Sequence, residues 1–487
     1  MRSYSSYRMT LGLIWILIAL PCPSFAQDAD KTKDIRRIGS ELQLFVDDWL
    51  IEQMNGVALR MHEPQRREIV FRYDAPWEGK DSGYVTMIKD GENYRMYYRG
   101  GGELSQEVTC VAESKDGIKW ERPSLGVFEF NGSKENNIVW KGKEKAYWES
   151  HSFAPFLDEN PAVKPEERYK AIALSRYPEE DVPERKNALF AFASPDGIHW
   201  KRMQPVPIIS KGDFDSQNTA FWDSARGRYV AFSRMRREGK RSIQWCESQD
   251  YIRWSEPVLC DFGGAPNEHL YTNAIGPYFR SPGILLGFPM RFVPDRHAIG
   301  VEKREVEGVS DGVFMSSRDG AHWDRRFMEA FIPPGLRSTN WGSPHGNNMP
   351  AWGILPTSEN EISIYWQVNC EEIPEQQRGT IRTDGFVSVN APYAGGEFVT
   401  RPLAFEGKNL ILNYSTSAVG NVRVEIQDEK GKSLEGFAIG DCDEIYGDEI
   451  ARVVSWNGKS DVSTLAGKTV RLRFAMKDAD LYSMRFE

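Results

Sequence analysis

The chain has 487 residues, a formal net charge of −9 and an aromatic content of 12%. An acidic protein has no general attraction for phosphate backbones, so nucleic acid is not expected as a partner. The length exceeds what one ordinary hydrophobic core holds, so more than one domain is expected. The aromatic side chains suit stacking on sugar rings or the filling of β-sheet cores, and composition alone leaves both uses open.

The N-terminus has the pattern of an export signal. A basic start precedes an apolar run from Leu11 to Leu20, and small residues lead to a cleavage site after Ala26. This pattern predicts a signal peptide over residues 1–26, with a run too short to span a bilayer. A lipid anchor on Cys22 is the alternative, although the flanking prolines make a poor lipidation motif. The sequence therefore predicts an exported protein, periplasmic or extracellular, without a membrane span.

A turn of the form S-x-D-[GY]-x-x-W occurs four times, at 114–120, 194–200, 248–254 and 317–323. In such a turn the carboxylate accepts backbone N–H bonds, glycine tolerates a positive φ, and tryptophan returns the chain to a buried face. The motif resembles the Asp-box of sialidase-type propellers, with a different spacing. We expect these aspartates to have a structural role.

Each turn follows a predicted strand pair, namely 84–89 with 94–99, 152–157 with 169–175, 219–223 with 229–234, and 272–278 with 284–291. Four-stranded units at this spacing are typical of propeller blades. A fifth pair lies within 349–368 but has no turn motif after it. The segment 42–51 reads as a strand without a hairpin partner, and we expect it to complete the fifth blade, because a closed ring leaves no exposed edge.

The C-terminal part has short alternating strands at 410–414, 422–426 and 470–474, which is typical of a β-sandwich. The fold class predicted from sequence is therefore all-β, with a five-bladed β-propeller over 40–384 and a C-terminal β-sandwich over 385–487. The cysteines of the mature chain lack the paired spacing of a zinc site. They are expected to be scattered buried thiols, with a disulfide between Cys246 and Cys260 as the alternative.

The candidate site follows from the predicted topology. Residues just before the innermost strand of every blade converge at one mouth of a propeller, and in this chain those positions are rich in carboxylates, histidines and amides. Candidates for contact with substrate are His151, Gln217, Asn218, Arg234, His269, Tyr271, His345 and Asn347. Arg234, Arg236 and Arg291 could bind an anionic substituent or be paired with the surplus acids. No cofactor is expected, although the three histidines could instead hold a metal.

This layout resembles the five-bladed glycoside hydrolases of families 32 and 43, with an appended sandwich as in family 32. In that superfamily the first, third and fourth blades each supply one catalytic carboxylate. The resemblance implies Asp81 as nucleophile or general base, Asp215 as the residue that orients substrate, and Glu268 as general acid. The replacements to consider are Glu78, Glu149 and Asp213. The chain lacks the W-x-N-D-P-N-G and R-D-P motifs of fructan-cleaving members, so a fructose substrate is not implied.

Cleavage of a glycosidic bond needs a proton for the leaving oxygen and a carboxylate for the developing oxocarbenium ion. The sequence therefore predicts a secreted glycoside hydrolase acting on a poly- or oligosaccharide. One alternative is a non-catalytic carbohydrate-binding propeller, which need not keep carboxylates at three blades. Another is a sialidase-like enzyme, which needs an arginine triad and usually six blades. A phosphorolytic enzyme could use the arginines for phosphate, but export from the cytoplasm argues against it.

Overall fold

The computed structural model describes residues 35–102, 105–142, 147–177, 186–298 and 307–487. The predicted signal peptide lies outside these residues. The described chain is all-β, and its helices are single 3-10 turns at Tyr147–Glu149, Pro165–Glu167, Ser338–Trp341 and Ser463–Leu465. Among the described residues, none of the helices has the length and apolar character that a membrane crossing requires.

Three antiparallel four-stranded sheets follow one another in chain order. Unit 1 contains Gly83–Asp90, Asn93–Gly102, Ser105–Ser114 and Ile138–Trp140. Unit 2 contains Ala154–Leu157, Tyr169–Tyr177, Lys186–Ser194 and Lys201–Arg202. Unit 3 contains Thr219–Asp223, Arg228–Arg237, Lys240–Ser248 and Val258–Leu259. The strand pairs predicted for these units are confirmed.

Unit 4 is split into two three-stranded sheets. One contains His269–Leu270, Met290–Val293 and Val309–Gly312, and the other contains Gly276–Tyr278, Ser281–Gly287 and Met315–Ser317. A hydrogen bond of 2.9 Å from Val313 N to Pro289 O lies at the junction. Since proline cannot donate to a ladder, its place at this break agrees with its chemistry.

Unit 5 joins the two ends of the series. Its strands are Leu355–Pro356, Glu361–Val368, Glu375–Arg382 and, on the outer edge, Gln65–Arg72 from before unit 1. Units 5 and 1 also meet directly, because Met87 N donates to Trp352 O at 2.7 Å and Trp352 N donates to Val85 O at 2.9 Å. The last unit is therefore completed by an N-terminal strand.

The prediction that residues 42–51 complete the fifth blade is wrong. Gln43–Leu44 pairs with Ser483 and Met484, and Ile51–Asn55 pairs with Gly396–Thr400, so residues 42–51 belong to the C-terminal sheet. Leu42, Leu44 and Val46 pack into the core shared by units 2 to 5, while Phe45, Leu50 and Ile51 pack into the C-terminal core. The segment is apolar on both faces because it lies between two cores, and that pattern also suits a central blade strand.

The C-terminal part forms one connected eight-stranded sheet around a core of its own. Its strands are Gln43–Leu44, Ile51–Asn55, Ala58–Met61, Val387–Ala391, Gly396–Thr400, Leu410–Gln427, Asp448–Val453 and Arg471–Phe486. Arg36–Gly39 pairs in parallel with Leu403–Phe405 beside it. Three strands thus come from residues 43–61, which the sequence assigns to the first domain.

A buried carboxylate links the C-terminal sheet to unit 4. Asp384 is fully buried and accepts hydrogen bonds from Tyr278 Oη, from Arg280 Nη1 at 2.8 Å and from Ser483 Oγ at 2.7 Å. Asn413 Nδ2 adds a fourth bond at 3.1 Å. A buried carboxylate is tolerated where it is paired and hydrogen-bonded, as it is here.

The four Asp turns have the predicted geometry. In the second turn, Asp196 Oδ1 accepts from Ile198 N and His199 N, both at 2.9 Å, and Trp200 Nε1 donates to Gly197 O at 3.0 Å. The equivalent bonds recur at Asp116, Asp250 and Asp319. In the third turn Tyr251 takes the glycine position with a φ of 66°. The turn also holds adjacent units together, since Tyr97 Oη of unit 1 donates to Gly197 O of unit 2 at 3.0 Å.

The described cysteines are free and buried, namely Cys110, Cys246, Cys260, Cys370 and Cys442. Scattered buried thiols are confirmed for this part of the chain, and Cys246 and Cys260 are not joined.

Candidate functional site

Side chains from all five units meet at one end of the sheets, which we call the mouth. In unit 2, His151 precedes the first strand, whereas the Asp196 turn follows the third strand, which runs parallel to the first. The mouth and the Asp turns therefore lie at opposite ends. This separation follows from the strand order of the unit.

A chain of polar contacts crosses the mouth from unit 1 to unit 3. His151 Nε2 lies 3.0 Å from Asp215 Oδ1, and His151 Nδ1 lies 2.8 Å from Glu107 Oε1. Nε2 donates to Asp215 when it carries the proton, whereas Nδ1 lies between a Glu107 oxygen, which only accepts, and the Arg99 guanidinium, which only donates, so the role of Nδ1 depends on the tautomer. Arg99 Nη1 lies 3.5 Å from Glu107 Oε1 and 2.9 Å from His151 Nδ1. Arg99, His151 and the two carboxylates thus form one network of polar contacts.

The network keeps Asp215 ionised. The hydrogen bond from His151, the positive charge of His151 and the guanidinium of Arg234 together lower the pKa of Asp215 to about 2, although burial opposes them. The Asp215 side chain remains 49% exposed, so a ligand can reach it. A carboxylate with a lowered pKa does not donate a proton near neutral pH, and it can stabilise positive charge or act as a base.

Glu107 is the second carboxylate of the network. Burial alone raises its pKa, but the hydrogen bond from His151 and the charge of Arg99 outweigh burial and lower it. Its side chain is 28% exposed, so it is less accessible than Asp215. Glu107 therefore holds the His151 ring through Nδ1, and the other ring nitrogen, Nε2, faces Asp215.

Arginine side chains line the unit 3 side of the mouth. Arg234 is 5% exposed and binds Asp213 through Nη2 at 3.0 Å, with Asp215 at 3.8 Å. Arg236 Nε binds the other oxygen of Asp213 at 3.1 Å. Asp213 is therefore shared between two guanidinium groups, and Arg234 is held close to Asp215.

Aromatic rings form the floor between units 1, 4 and 5. The Tyr271 ring is stacked on His345 at 4.9 Å, and Tyr84 Oη lies 3.5 Å from Tyr271 Oη. Tyr84 has a φ of 50° at an irregularity that shifts the register between Gly83 and Thr86. A non-glycine residue in this region stores backbone strain, which is often found at functional sites. Arg99 lies over the Tyr84 ring at 4.8 Å.

An open cavity of about 580 Å³ lies beside these rings. Its lining includes Asp81, Tyr84 and Arg99 from unit 1, and His345 and Glu371 from unit 5. Asp81 is exposed, and its backbone oxygen accepts from Arg99 Nε at 2.6 Å. Glu371 Oε1 accepts from Ser343 Oγ at 2.9 Å. Two carboxylates thus share one cavity that would accommodate sugar rings.

Glu268 lies in a different cluster. Its carboxylate contacts Arg325 Nη2 at 2.8 Å and Arg291 Nη1 at 3.4 Å. Arg291 also binds Asp311 through two nitrogens, at 2.9 and 2.6 Å. Burial, assisted by the charge of Glu268, raises the pKa of Asp311. Among the described residues, no hydrogen bond or ion pair connects Glu268 with Asp81 or Asp215.

The three candidate amides are buried and hydrogen-bonded to the backbone. Gln217 Nε2 donates to Val85 O at 3.0 Å, and Asn218 Nδ2 donates to Ser216 O at 2.9 Å. Asn347 Nδ2 donates to Thr339 O, and its Oδ1 accepts from Cys370 N. In this arrangement these amides position the mouth loops. His269 accepts from Arg241 N at 3.2 Å through Nδ1.

The replacement carboxylates are in ion pairs. Glu78 binds Arg122 and Tyr98, and Glu149 binds Arg202 and Trp140 Nε1.

Arg99, Glu107, Glu371 and Tyr84 are site residues that sequence reasoning missed. Arg99, Glu107 and Glu371 lie in or beside hairpin connections, whereas the carboxylates and histidines predicted for the mouth precede or begin the first strands of their units. The described residues contain no group of three or more His, Cys, Asp or Glu side chains that could hold a metal ion.

Comparison with known proteins gave matches by structure only. No family model matches the sequence, and no curated protein matches it. One similar solved structure is a thermostable family-43 glycoside hydrolase, with 14% identity, a TM-score of 0.40, and coverage of 65% of this chain and 95% of that chain. Another is described as a glycoside hydrolase of the GH130 mannoside phosphorylase family that targets β-1,2 mannosidic linkages in Candida mannan, with 12% identity, a TM-score of 0.44, and coverage of 69% and 96%.

A third similar structure is an N-acetylgalactosamine deacetylase from F. plautii in complex with blood group B trisaccharide, with 11% identity, a TM-score of 0.45, and coverage of 67% and 96%. The neighbours thus include glycoside hydrolases, the class that the sequence resembles. At these identities and TM-scores the neighbours do not assign an activity to this chain. The residues and contacts at the mouth are the basis for its proposed function.

Proposed function

We propose that this protein is a secreted glycoside hydrolase that cleaves a poly- or oligosaccharide at the mouth. Units 1 to 5 would be the five blades of a β-propeller, and the C-terminal sheet would be a β-sandwich that braces it. The proposal includes export by the N-terminal signal, because a polysaccharide substrate lies outside the cell.

One observation supports this function above the others. The ionised Asp215 contacts His151, and His151 contacts Arg99, which lines a cavity in which Asp81 is exposed. Arg99 contacts both sides, through Asp81 O at 2.6 Å and His151 Nδ1 at 2.9 Å. Glycoside hydrolysis requires carboxylates in different environments around one bond, and this mouth contains an exposed carboxylate, Asp81, and an ionised one, Asp215, that are linked through Arg99 and His151. A non-catalytic binding protein has no need of that difference.

In the proposed mechanism Asp81 acts as nucleophile or general base, since it is exposed in the cavity. Asp215 stays ionised and stabilises the positive charge that develops on the sugar ring. Glu268 remains the proposed general acid, and ligand binding would have to release it from Arg291 and Arg325. Glu371 is the alternative acid, because it lines the same cavity as Asp81 without an ion pair among the described residues.

Substitution of the four carboxylates by their amides tests the proposal. Release of reducing sugar is measured on plant and algal polysaccharides, and then on the preferred sugar with natural and activated leaving groups. We expect Asp81→Asn and Asp215→Asn to lose about 10²- to 10⁴-fold in turnover on both. The general acid is the residue whose Gln variant recovers with the activated leaving group, because that group departs without a proton.

Glu256→Gln is the matched control, since Glu256 forms an exposed pair with Lys211 close to the Asp250 turn. It should retain full turnover. The absence of hydrolysis on every substrate, combined with measurable glycan binding, would favour the non-catalytic alternative. Product stereochemistry by NMR then separates retention, which needs carboxyl groups about 5 Å apart, from inversion, which needs roughly 6.5 to 9.5 Å.

A further inference from the structure

Arg241 is a mouth residue to which neither the fold nor the proposed chemistry assigns a role. It lies near the start of Lys240–Ser248 in unit 3, with its guanidinium carbon 5.1 Å from the centroid of the Tyr271 ring and 5.4 Å from that of Phe292. Tyr271 is the ring that stacks on His345, which lines the cavity. The Arg241 cation is therefore built into the aromatic floor of the candidate site.

Among the described residues, this guanidinium has no carboxylate partner of its own. Its Nε is buried without a hydrogen-bond partner, and within the described chain no carboxylate lies within 4.0 Å of it. The acid that acts on it electrostatically is Asp213, which Arg234 and Arg236 already share. Burial and the charge of Arg234 lower the pKa of Arg241, so the charged form of this side chain is destabilised in the folded protein.

His345 has the same feature on the same ring. Its Nε2 is buried without a hydrogen-bond partner among the described residues. Burial and the charges of Arg241 and Arg234 lower the pKa of His345, so its imidazole is neutral near pH 7 and has a single N–H to donate. An unpaired cation and an unpaired imidazole nitrogen thus adjoin Tyr271, next to the ionised Asp215.

We propose that Arg241, with His345, forms a subsite for an anionic group on the substrate, either the carboxylate of a uronic acid or a sulfate ester. The substrate would thus be an acidic saccharide. This inference rests on the proposed function and adds a substrate class to it.

The free energy of folding gives the reason for an anion at this place. A partly buried charge without a partner destabilises a fold, and an anion that supplies two or more charge-assisted hydrogen bonds recovers that cost on binding. The planar guanidinium matches the two oxygens of a carboxylate or a sulfate. Asp215 would repel a second anion placed directly against it, so the anionic substituent belongs on the Arg241 side of Tyr271.

The test compares Arg241→Met with Arg237→Gln. Both variants remove one positive charge from the same hairpin. Arg237 is exposed, and because side chains alternate in direction along a strand, it points to the opposite face from Arg236. Calorimetry would use the full chain with three probes: oligogalacturonide, the same oligosaccharide as its methyl ester, and a sulfated algal oligosaccharide. Thermal unfolding without ligand would be recorded for each variant.

We expect an acidic oligosaccharide to bind at least tenfold more tightly than the neutral ester, and Arg241→Met to weaken that binding by about 10- to 100-fold. Arg237→Gln should change the affinity by less than twofold. Preference for oligogalacturonide identifies the anion as a carboxylate, and preference for the sulfated probe identifies it as a sulfate. Arg241→Met should unfold at the wild-type temperature or above, because it removes an unpaired charge, whereas an arginine with a structural role would lower that temperature.

Equal binding of acidic and neutral probes, or a failure of all acidic probes to bind, would overturn the inference. Hydrolysis of a neutral polysaccharide that does not depend on Arg241 would overturn it and leave the proposed function standing. Binding of acidic probes through Arg241 without hydrolysis would instead retain the subsite and remove the proposed function. Turnover that requires inorganic phosphate and Arg241 would assign the anion to a co-substrate, and this also contradicts the inference.

Discussion

Replacement of Asp196 by alanine tests the interpretation of the Asp turns. The substitution removes the acceptor of two backbone N–H bonds of 2.9 Å, of a Ser194 Oγ bond of 3.0 Å and of a His199 ring bond of 2.8 Å. Loss of a comparable cap costs about 1 to 2 kcal/mol in the free energy of unfolding, and water replaces part of it because the turn is partly exposed. We therefore expect Asp196→Ala to lower stability by about that amount, with unchanged turnover per folded molecule.

The pH dependence of this loss follows from the charge. Burial opposes ionisation, but hydrogen bonds from His199 and Ile198 prevail and lower the pKa of Asp196 well below its ordinary value. A carboxylate whose pKa is lower in the folded state stabilises the fold above its unfolded pKa, near 4, and the contribution is lost as the pH falls. The difference between wild type and Asp196→Ala should be full at pH 7 and shrink below about pH 4.

Urea unfolding followed by tryptophan fluorescence measures the difference at both pH values. Glu256→Ala is the matched control, because it removes an exposed acid whose pair with Lys211 should contribute less than about 0.5 kcal/mol. Full stability of Asp196→Ala with reduced turnover would refute the structural assignment of these turns.

Three further predictions follow from the contacts. His151→Ala should raise the pKa of Asp215 from about 2 towards its ordinary value, because the hydrogen bond from His151 is the main cause of the lowered pKa, and an NMR titration of the Asp215 carboxyl measures that rise. Asp384→Asn should lower stability by about 3 to 5 kcal/mol in urea unfolding, since it leaves the Arg280 guanidinium without its carboxylate. Deletion of Gln65–Arg72 should abolish soluble expression, because it exposes the edge of Glu375–Arg382, and soluble protein with native fluorescence would contradict the role of this strand in closure.

The repeat was predictable because its signals are local. Each Asp turn carries its own hydrogen-bond acceptor and its own tryptophan, so four copies reveal the register of four units without any long-range information. The strand pairs before them have β-branched and aromatic residues on buried faces. Local chemistry and the fold agree in this part of the chain.

The closing strand was missed because its sequence lacks those signals. Gln65–Arg72 is half charged and mostly exposed, as the outermost strand of a sheet can be, since little of it faces a core. Residues 42–51 offered a stronger apolar pattern, and the pattern does not say which of two cores buries which face. The strand that completes unit 5 is set by pairing between residues about 300 positions apart, and local composition does not encode that pairing.

The site was predictable in part. Strand order placed His151, Asp215, Tyr271 and His345 at one mouth, and their contacts agree with that placement. Arg99, Glu107 and Arg241 were missed because their roles depend on which partner each charge meets. The contacts of Glu268 with two arginines could not be read from its position before a strand.

The central claim is hydrolysis at the mouth carboxylates, and product release by wild type and Asp215→Asn tests it most directly. Both folded proteins would be incubated with a panel of neutral, uronic and sulfated polysaccharides, and new reducing ends would be quantified against time. The account predicts that the wild type cleaves at least one polysaccharide and that Asp215→Asn, with the same unfolding midpoint, loses about 10²-fold or more of that rate. Equal rates for the two proteins would contradict it.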